Sequence, residues 1–148
     1  MNGILSLAQA SAIVDKALEQ GRSLGLPPLT VAVLDGAGCL VAFKREDGSS
    51  LLRPEIAQAK AFGTLAMGMG SRAIAQRASA APAFVSAVNA LAGGRIIPVP
   101  GGVLIRSSKV IMGAVGITGA KSEQDEACAV AGITAAGFTA DTGEEPTS

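Results

Sequence analysis

Residues 101–132, GGVLIRSSKVIMGAVGITGAKSEQDEACAVAG, limit what this chain can fold into more than any other stretch. Two apolar runs flank Ser107, Ser108 and Lys109, which reads as a β-hairpin turning at those three polar residues. Gly113, Gly116 and Gly119 recur every third residue, so they cannot all lie on one face of a strand with a period of two. Each leaves room where a ligand or another backbone could come close. Ser122 then reads as the N-cap of a helix, with Asp125 in the reciprocal capping position and Glu123 and Glu126 adding negative charge at the positive end of the helix dipole. The expectation is a strand that ends in a concave site beside a helix N-terminus.

The rest of the chain supplies elements to cover that hairpin. Ser6 and Gln9 form a capping box ahead of Leu7, Ala10, Val14, Ala17 and Leu18, whose spacing predicts an amphipathic helix ending near Gly21 or Gly25. After Pro27 and Pro28, residues 29–34 are almost wholly apolar and suit a strand covered on both faces. Asp35, Gly36, Ala37 and Gly38 supply turn chemistry, and residues 39–44 return as a second strand. Asp35 reads chiefly as a turn former that caps its own backbone, with a ligand-facing role as the alternative. Pro54 suits a first helical turn, and a helix rich in small residues follows to about Met69. A second helical stretch over residues 72–91 breaks at Ala81-Pro82. Residues 95–99 read as a short edge strand because of Pro98 and Pro100. The order of elements predicts one α+β domain over residues 1–140 with a largely antiparallel sheet, followed by a disordered polar tail over residues 141–148.

Composition removes several function classes. Lys plus Arg and Asp plus Glu are both 12, so there is no basic excess for nucleic acid. With no Trp or Tyr, platforms for base stacking are missing as well. The longest uncharged runs fall short of the roughly 20 residues that a membrane helix needs, and the N-terminus lacks the basic flank of a signal peptide. These features predict a soluble cytoplasmic protein with no nucleic-acid or membrane partner. Cys39 and Cys128 fall in no metal-binding or redox spacing and read as two small residues of the interior. There is no histidine, which removes the commonest general base, metal ligand and haem ligand together.

The glycine-rich stretch ahead of the last helix has neither nucleotide-binding spacing, and Glu123, Asp125 and Glu126 would repel phosphate there. At most Glu123 and Glu126 share a helix face, so capping explains the acidic cluster better than a metal site does. Lys60 is the only charge inside its predicted helix, with no acidic residue three or four places away. Spacing alone favours a lysine that lays its stem over apolar surface and keeps its ammonium in water over a cation aimed into a pocket.

Six motifs then occur in a telling order: Val33-Leu34-Asp35-Gly36-Ala37-Gly38, Arg45-Glu46-Asp47-Gly48, Ala57-Gln58-Ala59-Lys60-Ala61, Gly101-Gly102, Gly113-Ala114-Val115-Gly116-Ile117-Thr118-Gly119 and Glu123-Gln124-Asp125-Glu126. In this order they resemble the GlcG/HbpS family, which includes the C-terminal domain of PduO-type proteins. The resemblance runs from about the first helix to Phe138. It implies a five-stranded antiparallel sheet flanked by helices, assembly into dimers or larger rings, and a pocket near the glycine-rich strands that binds haem or a related tetrapyrrole in some members. The family pattern also has a lysine at the place of Lys60. This chain departs from it at Leu104, where the family has proline, and in lacking any histidine to ligate iron. Cys39, Cys128, Met67 and Met69 remain as sulfur donors, and no spacing singles one out.

The first functional expectation is a homo-oligomeric binder of a small organic ligand, with haem as the family default. The second is a cofactor-independent lyase or isomerase acting on a small carboxylated or aromatic metabolite. For that chemistry Lys60 or Arg53 would anchor an anion and Asp35, Glu123 or Asp125 would serve as acid or base. Gly101, Gly102, Gly116, Thr118 and Gly119 complete the expected ligand-binding set, and no metal is expected.

Overall fold

Ser6 Oγ accepts the Gln9 N–H at 3.1 Å while Gln9 Oε1 accepts the Ser6 N–H at 2.9 Å, and this capping box starts helix α1 (Leu7–Ser23). The computed structural model describes residues 4–144. After α1 come β1 (Thr30–Asp35), β2 (Leu40–Arg45), α2 (Arg53–Met67), α3 (Ser71–Ala80), α4 (Pro82–Leu91), β3 (Gly102–Ser107), β4 (Val110–Thr118), α5 (Ser122–Ala135) and β5 (Thr139–Asp141). The strands form one antiparallel sheet in the order β2-β1-β4-β3-β5, so the fold is α+β as expected.

Helices cover both faces of the sheet. Val31, Val33, Val103, Val115 and Ile117 face α1 and α5, where Ile13, Val14, Cys128 and Ile133 complete the main core. On the opposite face Leu34, Leu104 and Ala114 pack against Ala61 of α2. That two-sided cover is why β1 and β4 read as continuous apolar runs. Among the helices and strands, α4 packs against α3 alone. No helix among the described residues is long and apolar enough to cross a membrane.

Three local expectations need correction. Residues 95–99 form no strand: Pro98 and Pro100 have no N–H for a ladder, and Ile96 instead anchors the segment by burying its side chain and donating its N–H to Asn89 Oδ1 at 2.9 Å. The fifth strand is β5, which pairs with β3 through Leu104↔Asp141, Ile105↔Ala140 and Arg106↔Thr139. Asp141 therefore closes a strand, held by Arg106 at 2.8 Å, where a disordered tail was expected to begin. Thr142 and Gly143 lie against Gly70, and residues 145–148 of the expected tail are outside the described residues. Finally, α5 starts one residue early. Lys121 is its N-cap, with its N–H bonded to Gln124 Oε1 at 3.2 Å, because the Asp125 carboxylate turns inward.

Candidate functional site

The glycines of β3 and β4 set the site's geometry by letting α2 descend onto the sheet. A Cβ at Gly116 would lie 1.9 Å from the Ala57 carbonyl oxygen, and one at Gly102 would lie 2.2 Å from that of Lys60. At Gly101, where φ is +121°, a Cβ would meet Lys60 Nζ at 2.8 Å. The room that these residues leave is therefore taken by helix backbone and a lysine side chain. Gly119 behaves likewise, with Pro28 O 2.2 Å from its would-be Cβ. Gly101, Gly102, Gly116 and Gly119 thus fit close packing of the chain on itself in place of the ligand contact expected of them.

Lys60 corrects the surface reading, because its side chain is 3% exposed. Its Nζ donates to the Ile117 carbonyl oxygen at 2.9 Å and to Asp125 Oδ2 at 3.3 Å. Asp125, 1% exposed, also accepts the Ala120 N–H on Oδ1 at 3.0 Å. Burial pushes the lysine below its ordinary pKa, against the pull of the Asp125 charge, and Arg53 lowers it further. Burial likewise raises Asp125, against the opposing charge of Lys60. No acid was visible near Lys60 in its own helix because its partner lies 65 residues later on a different element.

Arg53 opens α2 beside this pair. Its Nε donates to Ser50 Oγ at 3.1 Å and its Nη1 to Thr118 Oγ1 at 2.6 Å. Lys60, Asp125, Arg53 and Thr118 are thus brought to one end of the sheet. Asp35 and Glu123 are not. The Asp35 carboxylate accepts the N–H groups of Ala37 and Cys39, each at 3.0 Å, as a turn former does, and Glu123 is exposed on α5. Sequence reasoning missed Glu126 as a structural partner. It takes a forked contact from Arg72 at 2.8, 3.1 and 3.2 Å, tying α3 to α5.

Two concavities lie outside this cluster. The larger, about 490 Å³, is an open notch in which Arg22 pairs with Glu46 at 2.9 Å, Lys44 pairs with Asp15 beside it at 2.8 Å, and Arg45 and Asp47 add one further charge of each sign. The smaller is a groove of about 270 Å³ between the edge strand β2 and α2. Leu34, Leu40, Ala59 and Phe62 make it mostly apolar, and Glu55, Gln58 and Arg95 add polar groups. Arg95 stacks 3.9 Å over the centre of the Phe62 ring. Leu40 is half-exposed on its strand, which only the fold reveals, so the sequence carried no signal for this groove.

Lys60 and Asp125 line neither concavity, so a substrate in either would not meet them. The lyase or isomerase chemistry expected of them finds no support in this geometry. The groove also does not fit haem iron. None of its lining residues is an axial ligand, and its volume of about 270 Å³ suits a ligand much smaller than a tetrapyrrole. Cys128 is fully buried and its thiol is pushed up to about 11 by that burial. Met67 and Met69 lie at the far end of α2, and Cys39 is exposed between groove-lining Gly38 and Leu40 without itself lining the groove. Among the described residues no three Cys, Asp or Glu side chains converge to hold a metal ion.

Several solved structures share the fold. The PduOC protein in complex with haem superposes with a TM-score of 0.82 at 23% identity, covering 91% of this chain and 96% of its own. ORFY of Klebsiella pneumoniae gives 0.80 at 21% identity, with 89% and 90% covered. A double mutant of Streptomyces reticuli HbpS gives 0.77 at 24% identity, with 89% and 86% covered. No curated protein matches the chain. The family model for HbpS-like proteins, described as "Haem degrading protein HbpS-like", matches residues 5–134, and the chain belongs to that family.

Proposed function

We propose that this protein binds a small, mainly apolar organic ligand in the groove between β2 and α2 and does not ligate haem iron. The supporting observation is the groove lining, in which Leu34, Leu40, Ala59 and Phe62 offer an apolar wall beside the Arg95 guanidinium. Such a wall with a few polar groups is how small-molecule sites are built. The family and the haem complex of PduOC support ligand binding as the general role. The chain has no histidine to serve as an axial ligand to iron.

Titration with hemin, followed in the Soret region, tests the proposal alongside iron-free protoporphyrin and the fluorescent apolar probe anilinonaphthalene sulfonate. A broad, non-saturating hemin response is expected, with saturable binding of the apolar probe that weakens about tenfold or more in Phe62→Ala, as loss of a buried aromatic contact implies. A sharp, saturable Soret shift that disappears in Cys39→Ala would restore haem as the ligand.

We also propose that the functional unit is a homo-oligomer. α4 carries Phe84 at 50% exposure and Leu91 at 89%, an apolar surface that a second copy of this chain would cover. Light scattering that returns a monomer mass at micromolar concentration would remove this proposal.

A further inference from the structure

At the end of the sheet where α2 begins, Thr30 has a side chain 0% exposed whose hydroxyl meets no hydrogen-bond partner. It is the one buried side-chain polar atom left unpaired among the described residues. Such a group carries a free-energy cost that a polar partner would remove. Thr30 pairs directly with Thr118 across β1 and β4, so the two side chains share a face with Cβ atoms about 5 Å apart. It is the α2 face, since Leu34 and Ala114, in step with Thr30 and Thr118, pack on that helix.

Arg53 stands over the same spot. Its guanidinium is satisfied only by the neutral hydroxyls of Ser50 and Thr118, and among the described residues no carboxylate comes within ion-pair distance of it. The neighbouring Lys60 is matched by Asp125, so the cluster of two cations and one carboxylate keeps one positive charge. The positive end of the α2 dipole adds to that field. Leu51 and Leu52, 86% and 62% exposed on the loop ahead of Arg53, offer apolar surface beside the charge, and a ligand reaches Thr30 only as that loop gives way, since Thr30 is 0% and Thr118 2% exposed.

We propose that Arg53, Thr118 and Thr30 form a binding subsite for the carboxylate of a small organic acid. In it the Arg53 guanidinium donates to one carboxylate oxygen and the Thr30 hydroxyl donates to the other, which gives the orphaned hydroxyl its partner. A monoanion matches the single uncompensated charge, whereas a phosphate dianion would exceed it. This subsite stands on observations separate from the groove, so the groove ligand can fail its test without touching it.

The intact protein titrated with sodium benzoate, and separately with inorganic phosphate, provides the test, read by thermal shift and by the NMR methyl signals of Thr30 and Thr118. Benzoate is expected to raise Tm saturably in the millimolar range and to move both methyl signals. Arg53→Gln should abolish the response. Thr30→Val should weaken it about tenfold, the size of one lost hydrogen bond to a charged group. Thr30→Val removes an unpaired hydroxyl without changing shape, so it should fold at least as well as the wild type and carries the test if Arg53→Gln does not fold. Binding of anilinonaphthalene sulfonate to the groove should be unchanged in Thr30→Val. Absence of saturable benzoate binding, benzoate affinity unaltered by Thr30→Val, or phosphate binding tighter than benzoate would each overturn the proposal. An unaltered affinity would instead leave a bound water as the partner of Thr30.

Discussion

Replacing Lys60 by methionine tests the interior of this protein most directly. Methionine keeps an unbranched stem and removes only the ammonium, so little cavity results. Two bonds are lost, to the Ile117 carbonyl oxygen at 2.9 Å and to Asp125 at 3.3 Å, and a carboxylate 1% exposed is left without its counter-charge. Removing one partner of such a pair costs about 3–5 kcal/mol. A chain of this size loses about 2–4 °C of Tm per kcal/mol, so the drop should be on the order of 10 °C. Far-UV circular dichroism in urea is the suitable assay, because the protein has no Trp or Tyr to report by fluorescence. The sign of the pH dependence is also set. Asp125 has a folded pKa above its ordinary value of 3.8, and without Lys60 it loses the charge that holds that rise in check. A group raised in this way contributes stability that is full below its unfolded pKa and is lost as pH rises through the folded one. The deficit of Lys60→Met should therefore be full at neutral pH and shrink towards pH 4. Lys60→Met combined with Asp125→Asn should recover part of it, since asparagine needs no counter-charge and can still accept the Ala120 N–H. A single variant within about 0.5 kcal/mol of wild type at neutral pH, the range of ordinary surface changes, would refute the reasoning. So would a deficit that grows in acid.

Other perturbations have equally definite outcomes. Gly116→Ala places a Cβ 1.9 Å from the Ala57 carbonyl oxygen, so α2 must shift, and thermal melts should show a loss of about 3 kcal/mol or more, at the upper end of overpacking costs. Ser108 and Lys109 both have positive φ, at 48° and 72°, so Asn-Gly at these positions should raise stability by about 1 kcal/mol in urea melts. A thiol reagent should modify Cys39 rapidly and Cys128 only after denaturation. The Cys128 thiol is raised from 9.0 to about 11, so the stability it contributes below pH 9 is lost as pH rises through about 11. Cys128→Ala should remove that alkaline loss, and an unchanged alkaline melt would exclude it.

Local chemistry in the chain was enough to place most of the elements. Capping at Ser6, proline at residue 54, the break at Ala81-Pro82 and the apolar runs of β1 and β4 depend on neighbours a few residues away, which a sequence displays directly. β5 escaped because three residues, Thr139–Asp141, carry no period and become a strand only by pairing with β3. Residues 95–99 failed in the reverse direction, since an apolar run bounded by prolines found no strand to pair with. The site divides along the same line. Lys60, Arg53, Thr118 and Asp125 could be named individually from residue type and family pattern, but whether Lys60 faced water or protein depended on Asp125, brought to it by α5. The threefold glycine spacing showed that something approaches closely without saying what. Tertiary structure decided that it is the backbone of α2 at Gly102 and Gly116, because only the packed fold brings residues some 40 or more positions apart into contact. The unpaired hydroxyl of Thr30 likewise has no sequence signature, since a hydroxyl becomes unsatisfied only when the fold has removed water from it.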